Sequence, residues 1–440
     1  MTAGNAKTTQ PEYPLPGTGR SAMVVLMSVT VVGLGPERRE EVRRLDQLAF
    51  AFGLDDPAQD DSTTTLEWDR VFGATLDDDP ELAGMYAVYS LGLTVPDGAY
   101  GAGVARVAMA GLTWVGVHPG HRRRGVATAL IRHHLHGLHE SGGEAVSGLH
   151  ATEPAIYGRF GYGLATSGLR LRIPRGAALR DVPGAQAVTT RVLTADAQQH
   201  HELVAELAGR RPGVVRLSPQ LLARTLMDTE QRRARREPLR LVLAERDGQP
   251  TGYALLRREM GWDGANYVGT AKVEELVALD PASTRALWGL LTDLDLISSV
   301  ATPLLAADDP LLHLLVDARS AKPTRADGLW LRLVDVDRAL AGRSYACEVD
   351  LVIAVTDGQC PWNARRWRLS GGPLGATCSP TTDPAEVGID VRDLASAYVG
   401  GTSLLSLAAA GLAHEHRAGA LARLSSALRA GVEAGHAAVF

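Results

Sequence analysis

The residues from His121 to Thr128 read His-Arg-Arg-Arg-Gly-Val-Ala-Thr, a composition that suits the binding of a pyrophosphate. Residues 112–117, which precede them, are β-branched or apolar and uncharged, and this predicts a buried strand. After Gly125 the apolar residues recur at helical spacing, which predicts a helix. The first N–H groups of a helix have no intrahelical partners and carry the positive end of its dipole, so they attract an anion. The sequence therefore predicts a phosphate-binding loop between this strand and this helix.

Two other interpretations of this part of the chain compete with that one. Three consecutive arginines are more often a solvated surface run than a binding site. A dinucleotide-binding fingerprint also begins at Gly101 and Gly103, but Arg106 occupies the place of its third glycine. The order of strand, arginines, glycine and helix favours the phosphate-binding loop.

The bulk composition is that of a soluble globular protein. The chain has 440 residues, 45% of them hydrophobic and 22% charged, which fits about three domains. Its net charge of −5 argues against a nucleic-acid partner, because phosphate-tracking surfaces are basic, and it suits a cationic substrate. The three cysteines, Cys347, Cys360 and Cys378, lack metal-ligand spacing, and a reduced cytoplasmic protein is the simplest explanation.

An apolar segment near the N-terminus, residues 21–34, is too short to cross a bilayer and has no persuasive cleavage site for a signal peptidase. Its valines and threonine, followed by Gly-Leu-Gly-Pro, favour a first strand. We expect residues 1–22 to be a disordered leader and the chain to have no membrane span.

The rest of the first region alternates helices and strands. A first helix is expected after Pro36 and a second over residues 62–72, and strands are expected at 82–95, 104–117 and 145–150. Between residues 191 and 317 the same plan recurs less clearly, with helices at 194–207, 219–227 and 284–294, a hairpin at 239–259 and a strand at 273–279. The loop after Asp280 has no glycine and a single arginine, so we expect this copy to be structural and catalytically empty. From Trp330 onwards the composition indicates a third, α+β domain.

Arg122, Gly125 and Ala127 fit the pattern Arg/Gln-x-x-Gly-x-Gly/Ala, and the segment resembles motif A of the GNAT N-acetyltransferases. The segment that begins at His150, His-Ala-Thr-Glu-Pro-Ala-Ile-Tyr-Gly-Arg-Phe-Gly-Tyr-Gly, and the Asp-Gly-Leu-Trp-Leu-Arg at 327–332 narrow the match. Nearly all of the chain after residue 22 is similar to the Eis (enhanced intracellular survival) family. These proteins are aminoglycoside N-acetyltransferases of the GNAT superfamily, an activity tied to antibiotic resistance.

The resemblance implies an α/β (α+β) architecture of two tandem GNAT folds, the second degenerate, and a C-terminal sterol-carrier-protein-like α+β domain. We expect the catalytic GNAT domain at residues 23–178, the degenerate one at 179–325 and the sterol-carrier-protein-like domain at 326–440. The resemblance also implies acetyl-CoA as cosubstrate, a cationic amine as acceptor and a cytoplasmic homohexamer.

By the same resemblance, Tyr157 is the general acid that protonates the departing thiolate, with Tyr162 as its local rival, and the carboxylate of Phe440 is the proton acceptor. The expected acetyl-CoA-binding residues are Val115, Gly116, Val117, Arg122, Arg123, Arg124, Gly125, Val126, Ala127, Thr128, Thr152 and Glu153. The expected substrate-binding residues are Asp55, Asp56, Trp68, Trp114 and His150. The family can carry a glutamate before its terminus, where this chain has Val439, and this difference bears on the range of aminoglycosides accepted.

Other functions stay open at this point. The acceptor could be a protein lysine or a small amine instead of an aminoglycoside. The chain could also be a lipid-binding or assembly protein with a relic GNAT domain, although its intact Arg122, Gly125 and Tyr157 argue against this. Four histidines at 133, 134, 136 and 139 lack a completing carboxylate or cysteine, so a solvated helix face is favoured there and no metal is expected.

Overall fold

The computed structural model describes residues 28–51, 62–77, 79–99, 103–229, 233, 236–435 and 439–440. The expected leader at residues 1–22 and the expected substrate residues Asp55 and Asp56 lie outside the described residues. In the part of the chain that is described, no helix combines the length and the apolar character needed to cross a bilayer.

The first region of the chain contains long strands with a helix between the fourth and fifth. Its strands are β1 (Val29–Gly33), β2 (Val71–Leu76), β3 (Gly84–Asp97), β4 (Gly103–Val117), β5 (Val146–His150), β6 (Gly163–Leu164), β7 (Ser167–Arg170) and β8 (Arg172–Pro174). Its helices are α1 (Arg39–Phe50), α2 (Val126–Glu140) and α3 (Pro154–Tyr157).

The expected helix over residues 62–72 is wrong. The chain there forms two short 3-10 turns, Ser62–Thr65 and Trp68–Arg70, and then enters β2. Phe72 lies in β2 and stacks on Tyr86 of the neighbouring strand, with 5.0 Å between the ring centroids. Cross-strand packing of this kind stabilises a strand where periodicity alone favoured a helix.

The middle region repeats helices and antiparallel strands. Its strands are β9 (Thr189–Thr194), β10 (Val215–Arg216), β11 (Arg240–Arg246), β12 (Gln249–Glu259), β13 (Trp262–Asp263), β14 (Asn266–Tyr267), β15 (Gly269–Ala278), β16 (Ile297–Ala301), β17 (Leu305–Ala306), β18 (Thr324–Asp327) and β19 (Leu329–Leu333). Its helices are α4 (Ala197–Leu207), α5 (Pro219–Thr225), α6 (Pro281–Thr292) and α7 (Leu311–Leu314). The expected hairpin turning at Asp247 is confirmed, because β11 and β12 pair on either side of it.

The last region is a five-stranded sheet with helices. Its strands are β20 (Val349–Thr356), β21 (Arg366–Gly372), β22 (Gly375–Pro380), β23 (Val387–Asp390) and β24 (Ala413–Glu415). Its helices are α8 (Val336–Ala341), α9 (Val391–Ala397), α10 (Leu404–Ala409) and α11 (Ala420–Leu428). The sheet order is β22-β21-β20-β23-β24.

The first sheet draws strands from more than one region of the chain. Its order is β1-β2-β3-β4-β5-β19-β6, and β10 pairs with β3. The strand β19, which the sequence analysis assigned to the third region, lies between β5 and β6 in this sheet. The middle region forms a second sheet of order β8-β16-β15-β12-β11-β9. The first sheet therefore includes residues up to 333.

A buried ion pair connects the first sheet to the last region. Arg332 of β19 donates to the Asp357 carboxylate at 2.6 Å, and both side chains are almost completely buried. Asp357 also accepts hydrogen bonds from the N–H groups of Gln359 and Cys360. Because a buried charge is costly without partners, this network fixes how the two parts of the chain meet.

Candidate active site

A cavity opens where the two central strands of the first sheet separate. The strands β4 and β5 pair in parallel at two positions, Ala110 with Ser147 and Gly111 with Gly148. Beyond these pairs, residues 112–117 of β4 and residues 150–153, at and after the end of β5, line one cavity of about 950 Å³, here called the β4–β5 cavity. Ligands of open α/β sheets bind outside the carboxyl ends of the strands, and this volume is typical of small-molecule sites.

A β-bulge in β4 shapes the wall of this cavity. Met85 lies opposite Gly116 and Ala87 lies opposite Thr113, so a single residue of β3 faces two residues of β4. One of those two residues, Trp114, has a φ of 56°, in the left-handed region that bulky residues avoid. Because Trp114 lines the cavity, the bulge redirects backbone groups at the point where the sheet opens.

The loop between β4 and α2 has the features of an anion-binding site. Gly125 precedes α2 with a φ of 85°, a backbone conformation that favours glycine. The α2 hydrogen-bond ladder begins when the Ala129 N–H donates to the Gly125 carbonyl, so the N–H groups of residues 126–128 lie ahead of it. Arg122 lines the cavity, and Arg122, Arg123 and Arg124 are exposed. This donor set fits the pyrophosphate of acetyl-CoA.

The Tyr157 hydroxyl group is held in its neutral form. Tyr157 ends α3, is half-buried and lines the cavity. Burial, together with the negative charge of Glu153, raises the pKa of Tyr157 to about 12. A phenol in this state keeps its proton at neutral pH and is able to donate it.

The neighbouring Tyr162 is in a different environment. Its side chain is completely buried, and its hydroxyl group lies 2.8 Å from the Ser147 hydroxyl. Burial raises the pKa of Tyr162 as well. The Tyr162 ring meets the Tyr157 ring edge-on at 6.0 Å, so Tyr162 packs behind the residue that lines the cavity.

The last residue of the chain also reaches the cavity. The Thr113 hydroxyl donates to an oxygen of Phe440 at 3.3 Å. The Phe440 ring meets the His150 ring edge-on, with 5.2 Å between their centroids. Val439 is 71% exposed and lines the same cavity. The terminal carboxylate and the Tyr157 phenol are therefore features of one cavity.

Two charged residues that the sequence analysis missed line the cavity. Asp46 of α1 is only 6% exposed, and Arg224 of α5 reaches the cavity from the middle region. Burial raises the pKa of Asp46 to about 6, against the opposing charge of Arg224. Asp46 did have a sequence signal, because it interrupts the apolar stripe that contains Val42, Leu45 and Ala49. Arg224 had none, because its position depends on contact between regions.

We expect Asp46→Asn to stabilise the fold and weaken the capture of cationic acceptors. The raised pKa of Asp46 means that the folded protein binds this proton more tightly than the unfolded chain does, so stability increases as pH falls from above 6 towards 4. At pH 7.5 the ionised carboxylate costs about 2–3 kcal/mol, which the amide removes. Urea unfolding at pH 7.5 and pH 5.0 tests the stability change, and the KM for a polyamine tests the capture.

Glu40→Gln on the exposed side of the same helix is the matched control, because Glu40 pairs with Arg43 at the surface. That control should leave both the unfolding free energy and the polyamine KM unchanged. An Asp46→Asn protein with greater stability but an unaltered polyamine KM would remove Asp46 from substrate binding.

The structure brings most of the predicted site residues to the β4–β5 cavity. Its lining includes Trp114, Val115, Gly116, Val117, Arg122, Ala127, His150, Thr152, Glu153, Tyr157 and Phe440. The other loop residues, Arg123, Arg124, Gly125, Val126 and Thr128, lie beside it, and Val126 is buried against β3. Trp68 packs against the core of the first sheet instead.

The solvated-face interpretation of the four α2 histidines is wrong for His134. That residue is buried, its Nε2 lies 2.9 Å from the Ser147 hydroxyl, and burial lowers its pKa. His139 Nδ1 lies 2.6 Å from an Asp335 oxygen. Within the described residues, no group of three or more His, Cys, Asp or Glu side chains is arranged to hold a metal ion.

In the middle region, the loop that corresponds to the one between β4 and α2 lies before α6, and an aspartate occupies it. The Asp280 carboxylate accepts a hydrogen bond from the Ser283 N–H at 2.8 Å, at the N-terminus of α6. Arg246 pairs with the same carboxylate at 3.2 Å. A carboxylate at this helix end takes the place that a phosphate would need, because both are anions attracted to the same N–H groups.

Comparison with known proteins agrees with this geometry. Family models for the acetyltransferase (GNAT) domain match residues 33–165 and 213–333, and a model for the sterol carrier protein domain matches residues 336–434. An uncharacterized N-acetyltransferase of Streptomyces avermitilis is 40% identical over 393 residues, which cover 88% of this chain and 94% of that protein. N-acetyltransferase Eis of Mycobacterium tuberculosis is 36% identical over 365 residues, 80% of this chain and 84% of that protein.

A solved structure shows the same similarity in three dimensions. The crystal structure of Eis1 from Mycobacterium abscessus superposes with a TM-score of 0.78 at 30% sequence identity, covering 94% of this chain and 100% of that one. The expected architecture of two GNAT folds and a sterol-carrier-protein-like domain is thus confirmed, as is acetyltransferase activity of the GNAT type. The chain is a member of the Eis family of GNAT N-acetyltransferases.

Proposed function

We propose that this enzyme transfers the acetyl group of acetyl-CoA to amines of aminoglycoside-like polyamines by direct attack on the thioester. Tyr157 acts as the general acid, and the carboxylate of Phe440 acts as the base or as its water-relay partner. One observation carries the proposal: Tyr157, Phe440 and Arg122 of the loop after β4 line a single cavity.

The binding end of the cavity supports acetyl-CoA as the donor. Arg122 and the free N–H groups at the start of α2 suit a pyrophosphate, and Gly125 leaves open space where a side chain would stand. The bulged strand at Val115, Gly116 and Val117 offers backbone groups to the pantetheine arm, as the family resemblance implies. Bound there, acetyl-CoA supplies the activated acyl group.

The Tyr157 phenol would donate to the thiolate as the carbon–sulfur bond breaks. A coenzyme thiol has a pKa of about 8.5, whereas burial and Glu153 raise the pKa of Tyr157 to about 12. Complete proton transfer between isolated groups with these values would cost about 5 kcal/mol. We infer that the Tyr157 hydrogen bond stabilises the developing charge on sulfur. If Tyr157 gives its proton to the thiolate, the proton released by the amine restores the phenol.

The Phe440 carboxylate would assist at the amine. A lysine-like amine has a pKa of about 10.4, so releasing its lone pair at pH 7 costs about 4.6 kcal/mol. An α-carboxylate with a pKa of about 3.5 is a weak base for this proton. We infer that Phe440 acts through water or by holding the cation close to the thioester.

The charges around the cavity support a cationic acceptor. The acidic groups are Asp46, Glu153 and the chain terminus, and they attract polyamines, while the partly buried indole of Trp114 at the bulge lines the cavity and offers a face to sugars or cations. The positive charge of Arg224, close to Asp46, partly offsets these acidic groups. Because Val439 stands where the family can have a glutamate, we propose a narrower range of aminoglycosides than a doubly acidic terminus would accept.

An acetylation screen followed by mass spectrometry tests the acceptor class. Acetyl-CoA would be supplied with aminoglycosides, arylalkylamines or lysine peptides in parallel, at equal amine concentration. Aminoglycosides should be acetylated most efficiently, as judged by kcat/KM. Preference for lysine peptides or for arylalkylamines would replace the proposed acceptor, and no acetyl transfer to any amine would favour a lipid-binding or assembly role.

Assembly and location are part of the same proposal. By resemblance to its family, the protein would form a homohexamer, which sedimentation would detect. Acetyl-CoA is a cytoplasmic metabolite and the three cysteines are free, so we propose that the enzyme acts in the cytoplasm.

A further inference from the structure

The segment just before the chain terminus is held by the middle region of the molecule. The Arg211 guanidinium donates to the Glu433 carbonyl at 3.0 Å, and the Glu433 N–H donates to the Asp308 carboxylate at 3.0 Å. Arg211 and Asp308 also pair with each other at 2.6 Å. One ion pair therefore satisfies both the N–H and the carbonyl of Glu433.

The two residues after Glu433 fit closely into the same place. Ala434 is only 4% exposed, and the Gly435 N–H donates to the Pro212 carbonyl at 2.7 Å. A side-chain carbon at Gly435 would lie 2.8 Å from Val214 and 3.1 Å from Arg211. Residue 435 thus needs to be glycine, because a larger residue would push the segment away from Arg211 and Val214.

Residues 211–214, which contact this segment, are themselves hydrogen-bonded to the sheet that lines the cavity. The Thr94 hydroxyl of β3 donates to the Arg211 carbonyl at 2.6 Å and accepts from the Val214 N–H at 2.9 Å. The Gly213 N–H donates to the Thr94 carbonyl, and the Thr94 N–H donates to the Val214 carbonyl. Residues 211–214 are therefore fixed to the first sheet although they belong to the middle region of the chain.

Phe440 follows Gly435 by only five positions in the chain. A chain of five residues spans at most about 17 Å, so anchoring residue 435 confines Phe440 to the volume within that distance of Gly435. Confinement raises the effective concentration of a tethered group at its site. Phe440 is in contact with Thr113 and His150 within that volume.

We propose that Arg211 and Asp308 are positioning residues, which clamp the terminal segment of the chain so that the Phe440 carboxylate reaches the acceptor amine. This inference rests on the proposed role of Phe440 and deepens it. It also gives the middle region, whose own helix end is closed by Asp280, a part in the reaction of the first domain.

Two measurements on the full chain test the clamp. The first is the rate at which a carboxypeptidase releases Phe440 from the native protein. Arg211→Ala and Asp308→Ala should raise that rate about 10-fold, because the tethered segment is no longer confined. The second is steady-state kinetics, in which both variants should lower kcat about 10-fold while the KM for acetyl-CoA stays within about two-fold. Asp308→Asn, which keeps an oxygen for the Glu433 N–H, should lose less of both.

The matched control is Arg175→Ala, which breaks an exposed ion pair with Asp295 elsewhere in the same region. It should change neither measurement. Urea unfolding midpoints of all variants verify that each protein is folded before it is assayed.

A chain extended by two residues after Phe440 separates the clamp from the proposed function. If the clamp acts through Phe440, Arg211→Ala should have no further effect on kcat in the extended chain. An equal loss of kcat in the extended and the natural chain, or an unchanged release rate of Phe440, would overturn the clamp. Full activity of the extended chain would instead overturn the proposed role of Phe440, and the release rate would still decide whether the clamp exists.

Discussion

Tyr157→Phe should lower kcat about 10²-fold to 10³-fold, which lies within the typical contribution of about 10²-fold to 10⁴-fold from a general acid or base. The phenylalanine ring fills the same space at the end of α3, so the KM for acetyl-CoA should stay within about two-fold. The loss should be concentrated in kcat because the hydroxyl is needed when charge develops on sulfur. Initial rates over a range of acetyl-CoA and aminoglycoside concentrations measure both constants.

Tyr162→Phe is the matched control for that experiment. It removes an equivalent hydroxyl from the same turn, but this hydroxyl is bound to Ser147 in the core. We expect a loss of about 1 kcal/mol in unfolding free energy and little change in kcat. Near-normal turnover of Tyr157→Phe, or an equal loss of turnover in both variants, would exclude Tyr157 as the specific acid.

Blocking the terminal carboxylate should have an effect of similar size. Amidation of Phe440 removes its charge, and we expect kcat to fall about 10²-fold because no carboxylate then holds the acceptor amine near the thioester or accepts its proton through water. Acetyl-CoA binding should persist, since Arg122 and the start of α2 are unaffected. Amidated protein made by chemical ligation, assayed for transfer and for acetyl-CoA binding by calorimetry, gives both values.

Val439→Glu provides the complementary variant. It restores an acid at an exposed position on the cavity wall and should lower the KM for polyamines without lowering kcat. Amidated enzyme with an unchanged rate would show that Phe440 serves only as packing against His150.

The sequence was sufficient to predict the helices and strands whose own residues show a regular hydrophobic periodicity. The hairpin around Asp247, the long β3 and β4 strands and the α2 helix each have a periodicity that their own residues determine. The strand β2 was missed because its stability comes from Phe72 packing on Tyr86, a contact between strands that no single segment contains. The place of β19 between β5 and β6 was missed for the same reason.

The same distinction between local patterns and tertiary contacts applies to the residues of the candidate site. The arginines and glycine of the loop before α2 are contiguous, so their chemistry could be predicted from the sequence alone. Phe440 entered only through family resemblance, because nothing in an apolar terminus indicates that it reaches β4. Asp46 and Arg224 line the cavity together although they are far apart in the chain, so no local pattern connects them. Trp68 has the residue type of a substrate platform, but it is partly buried against the core of the first sheet, which depends on tertiary packing.

The insertion of β19 between β5 and β6 has a consequence for biosynthesis. A ribosome that has released only the first 178 residues presents β5 with an open hydrogen-bonding edge, since the partner strand has yet to be translated. Unpaired edges of this kind recruit other nascent chains and promote aggregation. The first sheet is therefore completed only after residues 329–333 have been translated, long after β5.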